Sequence, residues 1–270
     1  MAKLEEGLNL WQRFATAFIG IPLLLFAVYF GEWSFLLICF LASALALYEF
    51  HGLTKGLGKD ISLPLLEIGG LIAFVFTYLI GLDKLNGASL IVLIIFILIL
   101  EMFRSRAALT NGALTILGII YSGVIFAFLP LLRDIGRGPI ILLFLITWGT
   151  DSFAFFVGIK FGKHKLWPEV SPKKTWEGAL GGVLGGLAGG LVTSLFGLCS
   201  LPDGLLAGLL GSILAQTGDL MESVMKRESK VKDAGYILPG HGGILDRFDS
   251  LLLLAPTLYL IIQHLLPSLR

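Results

Sequence analysis

The chain of 270 residues is too hydrophobic and too poor in charge for a soluble globular protein. Hydrophobic residues make up 56% of it, charged residues make up 14%, and the mean hydropathy is +0.89. Soluble domains carry about a quarter charged residues, and a soluble fold of this size could not bury so much apolar surface. The composition therefore excludes a soluble globular domain. The net charge of +1 says nothing about partners, because the charges are not spread evenly along the chain, and no nucleic acid is expected as a partner.

Apolar stretches that are long enough to cross a bilayer recur along the whole chain. A hydrocarbon core of about 30 Å takes roughly 20 residues in helical form. The first stretch lacks the cleavage pattern of a signal peptide, so we expect it to remain as a helix. The sequence predicts an all-α integral membrane protein with about nine transmembrane helices, near residues 14–30, 33–50, 65–82, 88–103, 111–132, 139–161, 176–198, 204–226 and 244–266.

The distribution of Lys and Arg predicts how these helices are oriented. With nine alternating helices, 16 of the 20 Lys and Arg residues lie on the side of the N-terminus. Positively charged loops stay in the cytoplasm. We therefore expect a multi-pass protein of the inner (cytoplasmic) membrane, with the N-terminus cytoplasmic and the C-terminus outside.

Reactive groups are concentrated in the second half of the chain. Residues 1–138 are hydrophobic helices with short loops, and they are predicted to form a transmembrane scaffold. Residues 139–270 contain two long polar segments, 160–176 and 226–247, which are predicted to be cytoplasmic loops. The second region is therefore the predicted catalytic region.

The seventh predicted helix carries two adjacent rows of glycine at four-residue spacing. Small residues at this spacing allow another helix to approach closely. The partner could belong to the same chain or to a second copy, so a homodimer is possible. The rows are Gly178, Gly182, Gly186 and Gly190, and Gly181, Gly185 and Gly189.

Aspartates within or at the ends of predicted membrane helices are candidates for function, because charge is costly there. Asp151 lies in mid-helix and Asp219 near the cytoplasmic end of the eighth helix, while Asp246 and Asp249 open the ninth. The last two are three residues apart and share a helix face. Carboxylate oxygens are ligands of hard cations. The pattern predicts a site for one or two metal ions, although Asp151 and Asp219 would also suit a proton or cation transporter.

A dense basic cluster, Lys226, Arg227, Lys230 and Lys232, follows the eighth helix, and Arg247 comes directly after Asp246. By itself, such a cluster is typical of a topology signal or of contact with anionic lipids. Beside carboxylates, it indicates a site where a metal and cations share the charge of a polyphosphate.

The segment Ser223–Asp249, with the sequence SVMKRESKVKDAGYILPGHGGILDRFD, closely resembles the signature of phosphatidate cytidylyltransferases, which are also called CDP-diacylglycerol synthases. A second segment, Ser171–Gly178, with the sequence SPKKTWEG, is similar to another part of the same family. The resemblance is strong over residues 145–255 and only architectural before them.

The resemblance implies that CTP and phosphatidic acid are converted to CDP-diacylglycerol and pyrophosphate, with Mg²⁺ as the cofactor. The residues suit this chemistry. The phosphomonoester of the lipid has a second pKa of about 6 and is largely dianionic at pH 7, so it needs no general base. Positive charge and in-line positioning are the main requirements.

The expected roles follow the charges of the side chains. Asp219, Asp246 and Asp249 are predicted to hold the metal, and the predicted catalytic residues are Lys226, Arg227, Asp219 and Asp246. The predicted substrate-binding residues are Lys173, Lys174, Thr175, Ser223, Lys232, His241, Gly242, Gly243 and Arg247. Gly242 and Gly243 are included because glycine lets backbone N–H groups approach an oxyanion.

Two alternatives remain open. A CTP-dependent polyprenol or lipid kinase would transfer the γ-phosphate and release CDP. An ion-coupled transporter would use Asp151 and Asp219, although transporters commonly have broken helices at the midplane of the membrane. The sequence pattern of CDP-alcohol phosphotransferases is absent. A site at the cytoplasmic face suits both CTP, which arrives from water, and phosphatidate, which arrives from the inner leaflet.

Overall fold

The computed structural model describes residues 26–29, 31–81, 87–237 and 242–269, without the side chains of residues 32, 87–93 and 267. These residues are mostly helical. The helices are α1 (Glu32–Gly56), α2 (Leu63–Ile80), α3 (Gly87–Arg104), α4 (Ala108–Gly118), α5 (Phe128–Ile135), α6 (Arg137–Phe161), α7 (Trp176–Leu195), α8 (Leu201–Glu228) and α9 (Leu245–His264). A π-helical turn (Ile119–Val124) and a 3₁₀ turn (Ile125–Ala127) join α4 to α5, and a second 3₁₀ turn, Pro267–Leu269, ends the described chain.

Six helical segments within the described residues are long and apolar enough to cross a membrane, which confirms an all-α, multi-pass membrane protein. They are Trp33–Gly56, Leu63–Ile80, Ala108–Ile135, Arg137–Phe161, Trp176–Leu195 and Leu201–Glu228. Each overlaps one predicted helix. Helices α3 and α9 lie at the fourth and ninth predicted positions but are not among these six. Most of the first predicted helix lies outside the described residues, so the number nine and the orientation remain predictions.

A short β-hairpin occupies the predicted loop 160–176. Strand β1 (Lys165–Trp167) pairs antiparallel with β2 (Ser171–Thr175). Strands of three and five residues are too short to produce a clear alternation of polar and apolar residues, and the sequence analysis had not predicted them.

The described chain folds as two compact units. The first contains Met1–Pro130 together with Glu228–Arg247, and the second contains Leu131–Arg227 together with Phe248–Arg270. The segment that precedes α9 thus packs with the N-terminal helices. This is a division by packing, whereas the predicted division after residue 138 concerned function and remains a prediction.

In the first unit, α1 and α2 pack against the π-helical turn around buried phenylalanine and leucine side chains. Gly123 belongs to this turn, and a Cβ atom added to it would lie 2.6 Å from the carbonyl oxygen of Gly70. The hydroxyl of Ser43 donates to the carbonyl of Ser122 over 2.6 Å. The extra residue per turn of the π segment thus coincides with a close backbone approach between helices.

In the second unit, α7 lies between α6 and α8. The row Gly181, Gly185 and Gly189 faces α6, and Gly182, Gly186 and Gly190 of the other row face α8, whereas Gly178 lies against α6. A Cβ atom on Gly189 would lie 2.6 Å from the carbonyl oxygen of Leu145 in α6. One on Gly186 would lie 2.6 Å from the carbonyl oxygen of Gly208 in α8. The predicted packing role of the glycines is confirmed, and the helices that pack against them belong to the same chain.

Candidate active site

The β-hairpin is fastened to the beginning of α7. The hydroxyl of Thr175 accepts the N–H of Gly178 over 3.1 Å and thereby caps the helix. The carboxylate of Glu177 accepts the N–H groups of Lys163, at 3.1 Å, and of His164, at 3.2 Å, and it also lies 2.6 Å from Nδ1 of His164. The Thr175 cap satisfies a donor that α7 cannot satisfy itself and fixes the strand that carries Lys173 and Lys174, while Glu177 holds residues 163 and 164 against the start of α7.

A cavity of about 500 Å³ lies between this hairpin and helices α6, α7 and α8. Polar and apolar side chains both line it, a combination typical of small-molecule sites. Its polar side chains are Asp151, Lys173, Lys174, Thr175, Gln216 and Asp219, and its larger apolar side chains are Phe155, Ile159 and Leu166. Five residues of predicted or possible functional importance are therefore brought together in the second unit.

An ion pair lies at this cavity. Nζ of Lys174 is 2.6 Å from Oδ2 of Asp219, and the two side chains are 26% and 30% exposed. The hydroxyl of Ser223, one turn further along α8, lies 3.5 Å from Oδ1 of Asp219. Nζ of Lys174 itself is buried, so a charged ligand would reach this ammonium group only after the ion pair rearranges.

Asp249 belongs to the same charged group. Its carboxylate interacts electrostatically with Asp219, Asp151 and Lys226, and its Oδ1 accepts the N–H of Ser250 over 2.6 Å. The backbone approach is close here, because a Cβ atom on Gly218 would lie 2.6 Å from the carbonyl oxygen of Asp249. Asp249, Asp219 and Asp151 thus interact within the second unit, while the metal-binding role of Asp219 and Asp249 remains a prediction.

The two basic residues at the end of α8 already have protein contacts. Lys226 forms an ion pair with Glu222 one turn earlier, and both side chains are buried. Nε of Arg227 donates to the carbonyl of Val170 in the hairpin turn over 3.1 Å. Arg227 is exposed and therefore connects α8 to the hairpin while its side chain is still open to solvent.

In the first unit, Asp246 accepts hydrogen bonds from two points of the segment that precedes α9. Its Oδ2 accepts the N–H groups of Ala234 and Gly243, each over 2.8 Å. Gly242 has a φ of +79°, and a Cβ atom on it would lie 2.9 Å from the same oxygen. The N–H of Gly243, predicted to approach a substrate oxyanion, thus has an acceptor within the chain.

Lys232 and Arg247 are exposed, and His241 lies outside the described residues.

Glu49 was not among the residues predicted from the sequence. This residue lies in α1, is 3% exposed, and accepts the N–H groups of Ile244 and Leu245 over 2.9 Å each. The signal was present in the sequence, since a glutamate within an apolar stretch is as costly as the aspartates that were considered.

The carboxylates of the second unit suit a hard cation by their chemistry. Asp219 and Asp249 are of the ligand type that Mg²⁺ prefers, and the charges of the two carboxylates repel each other, so a cation between them would relieve the repulsion. Within the part of the chain that the structure describes, no group of three or more His, Cys, Asp or Glu side chains is arranged to hold a metal ion.

The chain is similar to known proteins over nearly all its length. A family model described as the cytidylyltransferase family matches residues 11–265. The phosphatidate cytidylyltransferase of Bacillus subtilis (strain 168) is 34% identical over 268 residues, covering 93% of this chain and 97% of that protein. Proteins with the same name from Staphylococcus haemolyticus (strain JCSC1435) and Staphylococcus aureus (strain COL) are each 35% identical, covering 93% of this chain and 98% of theirs.

Proposed function

Since the chain belongs to the cytidylyltransferase family, we propose that it transfers the cytidylyl group of CTP to phosphatidate, which yields CDP-diacylglycerol and pyrophosphate. The observation that carries this proposal is the cavity in which Lys173 and Lys174 meet Asp219 beside apolar side chains. Cations beside an apolar wall are suited to a phosphate group attached to a lipid. The names of the relatives, which match along almost the whole chain, point to the same reaction.

The reaction requires little covalent chemistry from the protein. An oxygen of the phosphatidate dianion attacks the α-phosphorus of CTP, and the bond from that phosphorus to the bridging oxygen of the β-phosphate breaks. The electron pair leaves with pyrophosphate. Two anions must meet for this to happen, so the protein must neutralise charge and align the reacting groups. Lys173, Lys174, Lys226, Arg227 and Arg247 are the proposed cations.

We also propose Mg²⁺ as the cofactor, held by Asp219 and Asp249, with Asp246 as the third predicted ligand. When bound, Mg²⁺ would offset the charge of the triphosphate and of the departing pyrophosphate. The like charges of Asp219 and Asp249 support this assignment. The ion pair between Lys174 and Asp219 then implies that Lys174 changes its partner when the substrates bind.

For the membrane arrangement, we propose nine transmembrane helices, a cytoplasmic N-terminus and an active site that faces the cytoplasm from the inner membrane. The asymmetric distribution of Lys and Arg supports this orientation. A homodimer is a further proposal. Its interface would use a surface other than the two glycine rows, because α6 and α8 of the same chain already cover them.

The decisive experiment is to incubate the purified protein with phosphatidate, CTP and Mg²⁺ and to analyse both products. We expect equal amounts of pyrophosphate and a CDP-lipid. Release of CDP with no CDP-lipid would indicate a lipid kinase, and the absence of both products would contradict an enzyme of this kind.

A further inference from the structure

Glu49 supplies the helix cap of α9 from a distant part of the chain. Its Oε1 accepts the N–H of Ile244 and its Oε2 accepts the N–H of Leu245, each over 2.9 Å. The first N–H groups of a helix have no acceptor within the helix, and a nearby Ser, Thr, Asp or Asn usually provides one. Here the acceptor is a carboxylate from α1, 195 residues earlier in the sequence.

Two glycines close around the same carboxylate. A Cβ atom on Gly235 would lie 2.6 Å from Cδ of Glu49, and one on Gly243 would lie 2.5 Å from its Oε2. Neither glycine has a positive φ, so the closeness of Glu49, and not the backbone conformation, excludes a side chain. Two points of the segment between α8 and α9, at Gly235 and Gly243, therefore lie against Glu49.

Burial of the Glu49 carboxylate costs free energy, which suggests that this residue has a specific role. A buried carboxylate loses its hydration, and only part of that cost is offset by two N–H donors and the positive end of the α9 dipole. An apolar side chain would be less costly at this depth. The segment that Glu49 holds contains Ala234 and Gly243, the two donors to Asp246.

We propose that Glu49 is a positioning residue for the active site. It holds Gly235 and residues 243–245, and thereby fixes Asp246 and Arg247 at the start of α9. This inference rests on the proposed function for its catalytic consequence. Its structural part, the control of this segment by Glu49, can be tested without any turnover.

The test compares Glu49→Gln with Glu101→Gln. Glu101 is a matched control, because it is fully buried in the first unit and bonds to Arg104 and Thr115 instead of the segment before α9. A glutamine at position 49 retains one acceptor and places an NH₂ group against a second N–H. Misplacement of about 1 Å can cost a hundredfold in rate. We expect Glu49→Gln to lower kcat roughly tenfold to a hundredfold and to speed amide hydrogen exchange in residues 242–247.

Glu101→Gln should leave kcat of the folded protein nearly unchanged and leave hydrogen exchange in residues 242–247 unchanged, because Glu101 does not contact that segment. Equal effects of the two variants on kcat and on this exchange would overturn the proposal, because they would reflect only the loss of a buried carboxylate. So would an unchanged kcat in Glu49→Gln.

A second pair of variants keeps the proposal testable if Glu49→Gln fails to fold. Gly243→Ala places a methyl group against the carboxylate of Glu49, and Glu49→Asp withdraws that carboxylate by one methylene. The double variant should therefore be more stable in detergent than Gly243→Ala alone. The absence of this compensation would contradict the contact itself, whereas the absence of a CDP-lipid from the unaltered protein would contradict only the proposed function.

Discussion

At the residue scale, Asp219 is the side chain on which the cavity depends most. It is paired with Lys174, lies near Ser223, and interacts electrostatically with Asp249. These contacts connect the hairpin, α8 and α9 through one carboxylate. A bound cation would compete with Lys174 for the carboxylate of Asp219, and a bound phosphate would compete with Asp219 for Lys174. The ion pair can therefore respond to both ligands.

We predict that Asp219→Ala abolishes turnover while the protein still folds into the membrane, and that added Mg²⁺ restores little activity. The matched control is Asp203→Ala at the other end of α8, where Asp203 is half-buried and bonds to Ser268. Rates of CDP-lipid formation would test this. Retention of more than about a tenth of the original rate, a loss below ~1.4 kcal/mol in the barrier, would contradict the ligand role of Asp219.

Asp246 has a structural contact that must be separated from its proposed metal role. Its Oδ2 accepts the N–H groups of Ala234 and Gly243, both in the segment before α9. An asparagine can present one carbonyl oxygen to these donors but carries no charge.

We therefore predict that Asp246→Asn lowers the rate more than tenfold while hydrogen exchange in residues 242–247 stays protected, and that Asp246→Ala loses both the rate and the protection. High activity in Asp246→Asn would mean that Asp246 only supports the segment.

At the element scale, the helices were predictable from the sequence and the segment before α9 was not. Apolar stretches encode membrane helices locally, and the glycine rows encode close packing, which the contacts of Gly186 and Gly189 confirm. Gly242 and Gly243 in this segment are predicted to let backbone N–H groups approach a substrate oxyanion. Its Gly243 instead faces Glu49, a contact between residues almost 200 positions apart, which no local pattern reveals.

The contacts of α7 lead to a prediction about helix packing. Gly186→Leu should lower the melting temperature in detergent, because its side chain would collide with the backbone of Gly208, and overpacking costs about 1–3 kcal/mol. Gly52→Leu is the control, since a Cβ atom there meets nothing within 4 Å. Equal melting temperatures for the two variants would contradict the tight packing of α7 against α8.

At the scale of the whole molecule, the candidate active-site residues belong to two packing units. Asp219, Asp249 and the cavity belong to the second unit, whereas Asp246 and Glu49 belong to the first. Helix α9 begins in one unit and continues into the other. The segment before α9 packs with the N-terminal helices of the first unit. This explains why Glu49, in the predicted scaffold, contacts the predicted catalytic segment at Ile244 and Leu245.

The orientation of the chain in the membrane yields the last prediction, which concerns where introduced cysteines can be labelled. The two native cysteines interfere little. Cys39 and Cys199 are 2% and 9% exposed, and burial, with a smaller contribution from Asp203, raises the pKa of the Cys199 thiol. Thiolates and not thiols are the reactive form, so labelling by a membrane-impermeant reagent should report the introduced residue.

A cysteine in place of Glu169, in the hairpin turn, and one in place of Lys230, after α8, should react only from the cytoplasmic side. A cysteine added after Arg270 should react only from the outside, because the positively charged loops stay in the cytoplasm. Labelling after permeabilisation controls for accessibility. Reaction of position 169 from the outside would overturn the proposed orientation. It would also place the hairpin, and with it the cavity, on the side of the membrane opposite to cytoplasmic CTP.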